Sequence, residues 1–108
     1  MAEIGKILGQ SHPSAGVLTT LYTCPAATRV VISTITMCNK GSVDYFRLSI
    51  GIAGAADADG QYIYYDLPIQ GTDTFACTFG ITLGPGDVVR VYSQAGNMDF
   101  IAFGVERT

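Results

Sequence analysis

Apolar residues that recur at every second position are the tightest constraint on this chain. From Val43 to Ile52, the residues Phe46, Leu48, Ile50 and Ile52 fall on one side, and Tyr45, Arg47 and Ser49 on the other. From Asp73 to Leu83, Phe75, Cys77, Phe79 and Ile81 alternate with Thr74, Ala76, Thr78 and Thr82. Such a period belongs to a half-buried strand. Threonine at the outer positions reinforces it, because its branched β-carbon suits a pleated surface. No segment keeps the i, i+3, i+4, i+7 spacing of an amphipathic helix, so none is expected.

Weaker versions of the same signal cover Val17–Thr23, Gln61–Leu67, Val88–Gln94 and Met98–Glu106, with an opening strand near Lys6–Gln10. In Arg29–Cys38 the apolar set changes face, from Val30 and Ile32 to Ile35 and Met37. A phase change near Ser33-Thr34 predicts a β-bulge or a strand buried on both faces. Turn chemistry separates the runs: Cys24-Pro25, Asn39-Lys40-Gly41, Leu83-Gly84-Pro85-Gly86-Asp87, and Ala95-Gly96-Asn97 as a hairpin closure. About eight short strands at regular spacing predict an all-β fold, an antiparallel two-layer sandwich of jelly-roll or immunoglobulin-like type. The Phe46/Ile50 and Phe75/Phe79 faces should then pack together. The 108 residues fit one sandwich domain over 1–108, with 1–10 as an N-terminal arm or an edge strand.

Composition narrows the function. Charged residues are 14% of the chain, against about 25% in an ordinary soluble domain. That poverty of charge fits a protein whose outside is partly covered by other protein, or a small β domain with a neutral Thr/Ser/Gly surface. A net charge of −3 leaves no basic footprint for nucleic acid. No apolar run approaches the roughly 18 residues that span a membrane, and Met1–Lys6 does not read as a signal peptide. Cys24, Cys38 and Cys77 are an odd number, so reduced thiols are expected.

No constellation points to chemistry. Asp57-Ala58-Asp59-Gly60 resembles the start of a calcium loop but lacks the further ligands, and reads as an acidic turn. His12 is the one histidine, so a structural zinc site lacks ligands. The aspartates flank turns, with no two placed in a shared apolar pocket, and Gly84-Pro85-Gly86 is followed by neither Lys-Ser/Thr nor a helix. No enzyme activity, cofactor or metal is expected. The candidate site is instead an interface built from Tyr62, Tyr64, Tyr65 and Arg47. Tyrosine joins a large rigid area to a hydroxyl, a combination used at protein interfaces and in sugar clefts. Alternation puts Tyr62 and Tyr64 on one face and Ile63 and Tyr65 on the other, and some of these rings could simply fill the core edge. Arg47 could pair with a neighbouring subunit's carboxylate or stand as a solvated charge.

The hairpin-like Ile81–Tyr92 stretch, the closing Met98–Glu106 strand with its Gly104-Val105-Glu106, the middle Gln61–Ile69, and the opening Gly5-Lys6-Ile7-Leu8-Gly9-Gln10 together resemble small virion proteins of tailed bacteriophages. The resemblance spans nearly the whole chain, and its motifs are structural. It implies a β-sandwich accessory protein of the virion, assembled in the host cytoplasm, and foremost a capsid decoration (cement) protein that bridges capsomers. The implied partners are the major capsid protein or other virion proteins and further copies of itself, as a trimer. A neck, tail or fibre-associated module is the alternative within that group, and a carbohydrate-binding recognition module the alternative outside it. A long extended N-terminal arm, present in well-known cement proteins, has no counterpart here beyond Met1–Gln10.

Overall fold

Strand β3 (Arg29–Asn39) is the axis of one of two antiparallel sheets. The computed structural model describes residues 3–78 and 80–108. Within them, β3 pairs on one side with β9 (Met98–Arg107). On the other side it pairs in succession with β7 (Ile81–Leu83) and β6 (Thr74–Cys77). Strand β1 (Glu3–Ser11) closes this β9 sheet as an edge strand beside β9. The second layer, the β4 sheet, runs β2 (Thr19–Thr23), β8 (Val88–Ser93), β4 (Asp44–Gly51), β5 (Tyr62–Ile69). No helix among the described residues is long and apolar enough to cross a membrane.

With β6 and β7 counted as one interrupted strand, the orders β1-β9-β3-β6/β7 and β2-β8-β4-β5 are those of a jelly roll. That settles the choice between jelly-roll and immunoglobulin-like sandwiches. It also corrects one local reading: Ala95-Gly96-Asn97 does not close a hairpin, because β8 and β9 lie in different sheets and this turn carries the chain across the sandwich. Ile52 is a second correction. The strand stops at Gly51, and Ile52 stands 77% exposed in a single 3-10 turn, Ile52–Gly54.

Between the sheets, Phe46, Leu48, Val89 and Val91 meet Ile35, Met37, Met98, Phe100 and Ala102, all fully buried. Burying side chains of this size stabilises by roughly 1.5–3 kcal/mol each. Phe46 is the hub: its ring centroid lies 6.4 Å from Phe100, 6.0 Å from Phe75 and 5.6 Å from Tyr64. The Phe46 and Phe75 faces pack together as expected, while the predicted inward position of Phe79 lies outside the described residues. The phase change in β3 is a bulge, with the register against β9 slipping between Ile32 and Thr34, and the Ser33 hydroxyl donates to the Phe103 carbonyl at 3.1 Å. Cys24 and Cys77 are buried and Cys38 is half-buried, all as thiols.

Two buried polar residues tie the crossing loops to the core. The Asp44 carboxylate accepts from Ser93 Oγ (2.5 Å) and from the backbone amides of Tyr45 (2.7 Å), Ala95 (2.9 Å) and Asn97 (3.4 Å). Burial pushes its pKa up, but these donors outweigh burial and hold it below the usual carboxylate range. Asn39 shares its amide hydrogens among the carbonyls of Ser42, Ile69 and Gln70 and accepts from the Gly41 amide. At the β1/β2 side, Glu106 accepts from Tyr22 OH at 2.6 Å and pairs with Lys6 at 3.0 Å, placing a charged clasp where an unprotected edge would lie.

Candidate interaction surfaces

The outward face of the β4 sheet carries the aromatic and cationic residues singled out above. Register places Arg47 directly between Tyr92 on β8 and a widened segment of β5. Phe46 pairs with Leu67 and Leu48 with Tyr64, so two residues, Tyr65 and Asp66, oppose the single Arg47. Asp66 accommodates that bulge with φ +53°, a left-handed conformation that Asp tolerates better than most side chains. The bulge aims both residues at Arg47. Its Nε donates to Asp66 Oδ1 at 2.7 Å and its Nη2 to Oδ2 at 3.3 Å. Its guanidinium carbon sits 4.1 Å from the Tyr65 ring centroid and 4.2 Å from that of Tyr92. The Asp66 hydrogen bond raises the Arg47 pKa further, so the cation is permanent.

A second slip, between Leu48 and Ser49, rotates the start of β5 and overturns the predicted grouping of the tyrosines. Tyr62 and Tyr64 do not share a face. Tyr64 points inward, its ring 5.5 Å from Phe75 and packed against the core. Tyr62 joins Tyr65 outside, edge to face at 5.0 Å, and donates to Asp57 Oδ1 at 2.6 Å. Burial and that hydrogen bond push the Tyr62 pKa up to about 12. Three of the four predicted residues therefore form one stack with Tyr92, a partner that the sequence reading did not include. Tyr65 is 60% exposed and Tyr45, next along β4, is 39% exposed. Tyrosine and arginine are among the side chains that dominate binding at protein interfaces.

The outward face of the β9 sheet escaped the sequence reading. Along β9 it presents Asp99, Ile101, Phe103, Val105 and Arg107, alternating with the buried Met98, Phe100, Ala102 and Gly104. In register beside them stand Ile7 on β1 (53% exposed) and Val31 on β3 (46% exposed). Charges gather at the two ends: Glu3 bound to Arg107 at 3.2 Å with Arg29 alongside, and Asp99 bound to His12 at 2.7 Å and Lys40 at 3.0 Å. The signal was present, since Phe100–Val105 is apolar at every position. A strand apolar on both faces leaves an apolar outer surface as well as a buried one.

The remaining constellations can also be placed. Asp87 accepts from the amides of Gly84 (2.8 Å) and Ala53 (2.9 Å), closing the predicted Gly-Pro-Gly turn and lowering its own pKa. Among the described residues, no three His, Cys, Asp or Glu side chains gather as a metal site. A shallow hollow of about 310 Å³ beside His12 is lined by Gln10, Ser11, Asp99, Phe100 and Ile101.

The fold is a jelly-roll sandwich with an aromatic and cationic outer face on one sheet and a largely apolar one on the other. No family model, curated protein or solved structure matches the chain.

Proposed function

We propose that this chain is a non-catalytic building block of a tailed-phage particle, of the capsid decoration type, and that it docks on capsid subunits through the outward face of its β4 sheet. The Tyr65–Arg47–Tyr92 stack carries this reading. Its side chains are locked before any partner arrives, so little rotamer freedom is lost on docking. The resemblance to small virion proteins supplies the kind of partner, and repetition over a symmetric shell turns modest single contacts into strong collective attachment.

Quantitative mass spectrometry of purified particles tests the assignment. Hundreds of copies per particle are expected on a head; about a dozen would move the protein to the neck or tail, and absence from particles would end the reading. Arg47→Ala should weaken attachment by about thirtyfold, the loss typical of an interface hot spot, with the unfolding midpoint nearly unchanged.

Tyr65 also favours a second reading. An exposed ring flanked by Asp66 and Arg47 is a platform on which a sugar could stack, as in a recognition module. Reproducible binding of the isolated protein on a glycan array would support it, and Tyr65→Ala should abolish that signal.

A further inference from the structure

We infer that the outward face of the β9 sheet is the contact between two copies of this chain, packed sheet to sheet about a two-fold axis through Phe103. This face lies on the opposite side of the sandwich from the outward face of the β4 sheet.

The row on β9 reads acid, apolar, apolar, apolar, base: Asp99, Ile101, Phe103, Val105, Arg107. That order is self-complementary when reversed. With the second copy's β9 laid antiparallel over the first, Phe103 meets its own image, Ile101 meets Val105, and Asp99 meets Arg107 at both ends. On β1, Glu3 stands at the Arg107 end and His12, just past the strand, at the Asp99 end; on β3 both ends are cationic, Arg29 beside Arg107 and Lys40 beside Asp99, so the complementarity is carried by the β9 row. An isologous interface requires that a residue and its image find compatible partners, and the β9 row meets that condition. Parallel stacking would instead set Arg107 on Arg107 and Asp99 on Asp99. Face-to-face sheets cross at about 30°, and the reach of an arginine side chain spans the resulting offset at the ends.

Size is adequate. Four strands about 4.8 Å apart and a row about 27 Å long give a face of roughly 500 Å² per copy, near 1,000 Å² for the pair, the lower bound for a specific interface. Arg107 and Asp99 each keep exposed surface, at 52% and 37% of the side chain, so both can take a second partner without leaving the first. A concave patch of about 340 Å³ between Val31, Thr82, Val105 and Arg107 lies where the second copy's Ile101 falls. The symmetry is two-fold, where the phage resemblance implies a trimer.

Analytical ultracentrifugation of the purified chain, without particles, is the test. A reversible dimer is expected at micromolar to tens of micromolar concentration. Phe103→Lys, which brings two like charges together on the axis, should raise the dimer dissociation constant at least about tenfold with an unchanged unfolding midpoint. Asp99→Arg and Arg107→Asp should each weaken the dimer, and the double variant should restore it. A monomer at millimolar concentration, a trimer, a dimer indifferent to Phe103→Lys, or a double variant as weak as the singles would overturn the proposal. If Phe103→Lys is monomeric like the parent yet fails to attach to particles, the face belongs to a capsid subunit and the two-fold contact is wrong, while the virion assignment stands. A Tyr65→Ala variant that dimerises normally separates the two surfaces.

Discussion

Asp44 and Ser49 lie on the same strand and are equally buried, but only one of them is answered by its surroundings. Asp44 has four donors on its carboxylate, so Asp44→Ala strands the Ser93 hydroxyl and the loop amides and should cost about 3 kcal/mol by chemical denaturation. Ser49 Oγ has no hydrogen-bond partner among the described residues, and neither do Gln61 Oε1 and Arg90 Nη1 at the same end of the β4 sheet. Deleting an unsatisfied hydroxyl removes a desolvation penalty. Ser49→Ala should therefore leave stability unchanged or raise it by about 1 kcal/mol, and a clear loss would show that the hydroxyl is bonded in solution. Arg47 belongs to neither case. Its guanidinium lies against two rings, so a lysine there keeps the charge and loses the stack.

At the level of the element, β5 shows where reading by alternation stops. Two register slips within one strand invert the face of Tyr62 relative to Tyr64, and a period-two count has no way to register an extra residue. The bulge in β3 was legible because Val30, Ile32, Ile35 and Met37 are all apolar and betray the change of phase; β5 mixes Tyr, Asp and Pro and betrays nothing. The β9 surface was missed for the opposite reason, an excess of apolar residues that left no polar face to mark the outside. Strand β9 also contains the tightest fit. A Cβ on Gly104 would lie 2.2 Å from the Val31 carbonyl oxygen and 2.9 Å from Ile32 Cα, both backbone atoms that cannot swing away. Gly104→Ala should push β9 from β3 at the bulge and cost about 3 kcal/mol or more, read as a lowered denaturation midpoint, whereas Gly60→Ala would meet no neighbour and be strained only by the φ of +94°.

For the whole molecule, acid and alkali should act through different residues. Asp44, Asp87, Asp99 and Glu106 all have folded-state pKa values below their ordinary ones. Their stabilisation is complete above about pH 4–5 and is lost as the pH falls through the depressed values. Tyr22, Tyr62 and Tyr64 are shifted upward, chiefly by burial, so folding disfavours their phenolates and stability declines once the pH exceeds about 10. Unfolding midpoints across the pH range should trace a plateau between these limits, and Glu106→Gln should shrink the acid limb. The two-layer architecture and most strands were legible in the sequence, because periodicity is local. Which sheet receives each strand is not local, and so the jelly-roll order and the true path after β8 emerged only from the fold. That order has a mechanical corollary. The contact between layers is mostly ring against ring and methyl against methyl, with a few hydrogen bonds such as Tyr22–Glu106 and Asn39–Ile69 to resist a pull perpendicular to the sheets. But the chain passes from one layer to the other after β1, β2, β3, β5, β7 and β8. Tension entering by one broad side and leaving by the other is taken up by six covalent stitches, so the layers cannot part until peptide backbone is drawn taut.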